Sequence, residues 1–266
     1  MAGLRNARIL AVAAALAAGS ARAAVKTETV PYKDGDTVLN GFLAYDDAVS
    51  GRRPGVLVIH EWWGLNDYAK RRARQLAGMG YVAFACDMYG DGKVGATRQE
   101  ASALAGRVRG TPAMRRRAVL ALDVLKKDKR VDPDRCAAIG FCFGGSGVME
   151  LARTGADLKG VVSFHGGLTT KEPADPKTLK AAILVLHGAD DRNAPAETLE
   201  AFRNEMRKAK ADWQLVLYGN AVHAFSNPDA GHDPSRGAAY DEKAARRSWA
   251  LMTAFFREIF ATKGSD

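Results

Sequence analysis

"IGFCFGGSG", Ile139–Gly147, decides how the chain is read. A short apolar run, Cys136-Ala137-Ala138-Ile139-Gly140, leads into a cysteine framed by Gly140 and Gly144, and small residues suited to a helix start follow. This is the G-x-S-x-G nucleophile-elbow pattern, a sharp strand-to-helix turn, with Cys142 in the place of the serine. Glycines are needed there because the turn brings backbone segments too close for side chains. The helix that follows would point the positive end of its dipole at Cys142 and favour thiolate over thiol. Taken alone, the pattern also fits a small apolar residue between two glycines. Its surroundings have to decide.

Outward from the elbow, strand-like and helix-like segments alternate. "KTETVPY" and "VLNGFLAY" alternate apolar and polar side chains and predict an antiparallel pair. "GVLVIHE", "YVAFACD", "RCAAIGF", "LKGVVSFHGG", "AAILVLHGADD" and "WQLVLYGN" are mostly continuous apolar runs, as expected of strands covered on both faces. Between them the pattern predicts helices over Asn66–Met79, about Arg98–Lys127, from the elbow to Arg153, over Pro195–Ala209 and about Tyr240–Ala261. A Gly-rich loop spans Gly90–Gly95. The expectation is one α/β domain over residues 24–266: a mostly parallel central sheet of about eight strands with helices on both faces. Its polar strand ends, such as His60-Glu61, His165-Gly166-Gly167 and His187-Gly188, then share the edge where open parallel sheets bind ligands.

The partners of an elbow nucleophile follow in the order nucleophile, acid, histidine. Asp191 stands 49 residues after Cys142, and His223 stands 32 after Asp191, each beyond a strand's carboxyl end. Asp191 would orient the imidazole, and His223 would move the proton. Asp190 is the neighbouring alternative for the acid. A second cluster, "HEWWG", His60–Gly64, follows the strand "GVLVI". It would supply the Trp62 backbone N–H to an oxyanion hole shared with that of Phe143, and would aim Glu61 into the site. His60-Glu61 is no zinc signature, because no histidine stands at position 64. Trp63, Tyr89, His165 and Phe225, also beyond strand ends, are candidates for the substrate pocket. No metal and no cofactor are called for.

Together "HEWWG", "GFCFGG", "GADD" with Pro195, and "HAF" resemble the dienelactone hydrolases, a cysteine-nucleophile branch of the α/β-hydrolase fold, over about residues 27–262. The resemblance implies a Cys142–Asp191–His223 triad. It also implies a Glu61 that contacts the nucleophile and couples its activation to substrate binding, and hydrolysis of esters or lactones without a cofactor. It further implies two arginines that clamp a substrate carboxylate, and there the chain departs. One follows the D-x-Y of the preceding loop, where "CDMYGDGK" offers Asp91. The other lies four residues after the histidine, where Asn227 stands. Lys93, Arg98 and Arg236 are the nearby substitutes. The expected substrate is therefore an ester or lactone other than dienelactone. The alternatives are a non-catalytic secreted binding protein on the same fold, and an acyltransferase or thiol peptidase using the same residues.

Residues 1–23 read as an export signal: Arg5 and Arg8, a short apolar stretch "ILAVAAALAAG", then Ala21-Arg22-Ala23 as a cleavage site. The mature chain would be periplasmic or secreted, off the membrane, and monomeric. Its removal takes away three arginines and no acids, leaving 36 basic against 30 acidic residues, or +6. The basic residues are scattered. The local run Arg115-Arg116-Arg117 reads as a solvated helix face, and there is no nucleic-acid footprint. Of the three cysteines, Cys86 closes one apolar run and Cys136 opens another. On parallel strands their thiols would lie at opposite sheet ends, too far apart for a disulfide.

Overall fold

The continuous apolar runs become the buried centre of a single sheet. In the computed structural model, which describes residues 25–261, eight strands lie in the order β1-β2-β4-β3-β5-β6-β7-β8. They are β1 (Val25–Asp34), β2 (Thr37–Asp46), β3 (Arg53–Ile59), β4 (Val82–Cys86), β5 (Val131–Phe141), β6 (Gly160–Phe164), β7 (Ala182–Gly188) and β8 (Trp213–Tyr218). The first two strands pair antiparallel, β2 pairs antiparallel with β4, and every later pairing is parallel. The residues read as an export signal lie outside those described. Among the described residues no helix is long and apolar enough to cross a membrane.

Helices cover both faces. α1 (Asp67–Gly78) and α6 (Glu242–Ile259) pack Tyr68, Leu76, Met252 and Phe256 against one side. α2 (Arg98–Gly106), α3 (Pro112–Lys127), α4 (Phe143–Arg153) and α5 (Ala196–Lys208) carry Ala105, Leu122, Val148 and Phe202 to the other. The expected Arg98–Lys127 helical stretch is two helices. The chain between them takes a positive φ at Gly110, and Pro112 starts the second. Asn66 caps α1 as read, its Oδ1 accepting from the Ala69 N–H at 3.3 Å.

The Arg115–Arg117 run differs from the reading. It is consumed in ion pairs. Arg117 Nε lies 2.8 Å from Asp34 Oδ2, Arg116 grips the same carboxylate with two nitrogens, and Arg115 Nε meets Glu150 Oε2 at 2.7 Å. These pairs tie β1 to α3, and α3 to α4. The cysteine geometry matches the reading. β3 lies between β4 and β5 and aligns Cys86 with Ile59 at one end and Cys136 with Gly55 at the other. All three thiols are free.

Candidate active site

The elbow forms where β5 meets α4. Cys142 sits at φ 53°, ψ −112°, a strained conformation for a residue with a side chain. Two close approaches hold it there. A methyl group on Gly140 would fall 2.0 Å from the Gly144 carbonyl oxygen, and one on Gly144 would fall 2.1 Å from that of Ile59. The second contact presses the start of α4 against the end of β3. The Phe143 N–H, at the start of α4, is one of the first-turn groups that has no acceptor within its helix. The Cys142 N–H itself is used by the Phe164 carbonyl at 3.0 Å. The thiol is half-buried.

The two remaining candidates converge on this turn. His223 Nδ1 lies 2.8 Å from Asp191 Oδ2, and Asp191 Oδ1 accepts from the Asn193 N–H at 2.9 Å. Asp190 is exposed and has no part in this contact. Burial pushes the Asp191 carboxyl up, but His187, His223 and the Asn193 N–H more than offset it and hold it well below the usual range. His187 Nε2 comes within 3.1 Å of Asp191 Oδ2 without the alignment of a hydrogen bond. Burial lowers the His223 pKa, yet Asp191 and the Cys142 thiol outweigh it and push it up to about 10. An imidazolium beside a carboxylate is the arrangement these shifts favour.

Glu61 is buried, and its Oε2 accepts from Asn227 Nδ2 at 2.7 Å. Burial raises its carboxyl to about 7, with the Asn227 bond opposing. Among the described residues its side-chain bond is to Asn227 and not to Cys142. Asn227 was visible in the sequence only as a missing arginine, since nothing in its spacing links it to Glu61. His60 is fully buried, with Nδ1 2.5 Å from the Glu61 carbonyl and Nε2 accepting from the Met88 N–H at 3.2 Å. Burial lowers its pKa to about 4, so it stays neutral and acts as a strut.

A cleft of about 1110 Å³ opens over the thiol, lined by Glu61, Trp62, Trp63, Cys142, His223 and Asn227 among others. Arg98, Arg109 and Arg236 stand along its wall. Lys93 does not, and instead pairs with Asp91 at 2.8 Å on the surface. Three of the four pocket candidates lie elsewhere. Tyr89, His165 and Phe225 are buried behind the cleft wall. The Tyr89 hydroxyl donates to the Trp62 carbonyl at 2.8 Å, and Phe225 packs edge-on to His165. A strand-end position marks the right edge of the sheet, but it does not give a side chain's direction.

Behind the cleft lies a second cavity of about 460 Å³, lined by Tyr68, Arg72, Ser226 and Pro228 among others. The residues between alternate: Ser226 and Pro228 face this cavity, while Asn227 and Asp229 face the cleft.

The sequence matches the profile of the Dienelactone hydrolase family over residues 39–260. The chain belongs to that family. A dienelactone hydrolase-like promiscuous phosphotriesterase from metagenomic libraries is 45% identical to it, with 90% of this chain and 100% of that one covered at a TM-score of 0.84. An Escherichia coli (strain K12) protein named "Putative carboxymethylenebutenolidase" is 31% identical over 226 residues, 80% of each chain. Thermogutta terrifontis esterase 2, phosphorylated by paraoxon, shares the fold at 20% identity and a TM-score of 0.65. As a member of the dienelactone hydrolase family, the chain is a hydrolase of carboxylic esters or lactones.

Proposed function

We propose that this member of the dienelactone hydrolase family works through a Cys142–His223–Asp191 triad and a thioester acyl-enzyme. One observation carries the reading: the Asp191-anchored His223 imidazole faces the half-buried Cys142 at the N-terminus of α4. The thiolate attacks the substrate's carbonyl carbon, and the C–S bond forms as the carbonyl electrons move to oxygen. The N–H groups of Trp62 and Phe143 hold that oxyanion. It collapses, the C–O bond breaks, and His223 gives its proton to the departing alkoxide. His223 then takes a proton from water, which attacks the thioester, breaks C–S and releases the acid. Glu61 sits close enough to His223 to feel its charge, so proton placement at the thiol depends on it.

Burst-phase hydrolysis of p-nitrophenyl acetate tests this. The expected result is a burst equal to the enzyme concentration, with turnover lost in Cys142→Ala. The same turnover in that variant, without a burst in either protein, would overturn the triad.

A second reading is favoured by the metagenomic relative, which is described as a phosphotriesterase. A thiolate facing two N–H donors suits attack at phosphorus as well as carbon. We expect slow paraoxon hydrolysis that also vanishes in Cys142→Ala, and no hydrolysis at all would sink this reading. Export to the periplasm or medium is supported by residues 1–23, and a monomer remains our expectation. Fractionation of the full chain and sizing of the mature chain test the two.

A further inference from the structure

The triad accounts for one anchor on His223, the Asp191 contact at Nδ1. That bond and the Cys142 contact act at the ring's nitrogens and leave the rest of the ring to packing. Another histidine packs against it. The His165 ring lies 5.0 Å from the His223 ring, centroid to centroid, at 71°. His165 is itself held. Its Nε2 lies 2.8 Å from the Ser226 hydroxyl, which meets the Tyr68 hydroxyl at 3.1 Å. Arg72 fixes the far end. Its Nη2 donates to the Ser226 carbonyl at 2.7 Å and to the Tyr68 oxygen at 3.3 Å, and its guanidinium lies over the Tyr68, Phe141 and Trp249 rings. His165, Ser226 and Tyr68 are all buried.

Ordinary packing would not select a histidine at this point. His165 takes a positive φ of 41°, and its Nδ1 is buried without a partner among the described residues. Both features destabilise the fold, and an apolar residue would avoid the second. Such departures concentrate at working sites.

We propose that His165, held by Ser226, is a positioning residue that fixes the His223 imidazole in line with Cys142. The inference rests on Cys142 being the nucleophile. Burial, with His223, His187 and Arg72 nearby, holds the His165 pKa well below its ordinary value against the pull of Asp191. The ring is therefore neutral and faces an imidazolium without repulsion. The groups acting on His223 are thus Asp191, Cys142, Glu61 and His165. A His223 free to turn would share its proton with the thiol less well, so less thiolate would form.

The rate of Cys142 alkylation by iodoacetamide reads thiolate directly and needs no substrate. It would be followed against pH in the wild type, Ser226→Ala, Ser226→Thr and Tyr68→Phe, with Tm measured alongside. We expect Ser226→Ala to alkylate about tenfold more slowly near neutral pH, with the onset about one pH unit higher. Ser226→Thr, which keeps the hydroxyl, should restore most of the rate. If Ser226→Ala does not fold, Tyr68→Phe carries the test and should shift the onset the same way. A variant profile that superimposes on the wild type overturns the proposal, even if Tm falls. A wild-type onset near about 8.5, unchanged in His223→Ala, would instead sink the nucleophile reading beneath it.

Discussion

Glu61 is the residue whose chemistry depends most on its surroundings. Burial lifts its carboxyl to about 7 from an ordinary 4.5. A raised carboxyl means that the folded chain keeps a proton the unfolded chain has released. Stability is therefore lost as pH climbs from 4.5 to 7, by on the order of 3 kcal/mol. Glu61→Gln keeps an acceptor for the Asn227 amide and cannot ionise. Its stability relative to the wild type should rise across that window by a similar amount, as followed by urea unfolding at pH 5 and pH 7.5. A constant difference would show that Glu61 is not protonated in the native state. Asp34 gives the opposite sign. Its carboxyl is held at about 2, with the Arg116 contact the largest cause and Arg117 adding to it against burial. That stability is present above the ordinary 3.8 and is lost as pH falls toward 2. Arg116 is half-exposed, which weakens its share by solvent screening. We expect Asp34→Asn to cost about 1–2 kcal/mol at pH 7 and almost nothing near pH 2.

Among the elements, the β5–α4 turn is the least forgiving. In Gly140→Ala the new methyl would meet the backbone of Gly144 and Gly145 rather than the yielding end of a side chain. The cost is about 3 kcal/mol or more, a fall in Tm of roughly 10 °C by calorimetry, with hydrolysis lost as the elbow shifts. A variant of wild-type stability and rate would refute the close-packed turn. This element was legible in the sequence only with its surroundings, since two glycines around a cysteine also fit a small apolar residue until an acid and a histidine follow in order past later strand ends. The strands were legible because continuous apolar runs need cover on both faces. The proposed triad could be read because each candidate stands just past a strand's end on one edge of the sheet. The Arg115–Arg117 run could not, because its partner Asp34 lies 82 residues away from Arg116. Neither could the burial of His165, Tyr89 and Phe225, which depends on how side chains turn inward from correctly placed strand ends.

For the whole molecule, the cleft of about 1110 Å³ is large for a small lactone. Asn227 spends its amide on Glu61, and Asp91 lies in a surface pair with Lys93. No bidentate carboxylate clamp stands at either place. We expect dienelactone to be a poor substrate, and a kcat/KM at or above about 10⁶ M⁻¹s⁻¹ would overturn that. The placing of the thiols has a practical consequence. Cys86 and Cys136 are sealed in the sheet, where burial raises both well above an ordinary thiol, and Cys142 alone is half-open. A chromogenic disulfide reagent should therefore count one equivalent quickly in the native protein and the other two only on unfolding. The fast equivalent would count folded chains with an unoxidised Cys142 in any preparation, and the slow pair would serve as a clock for global opening.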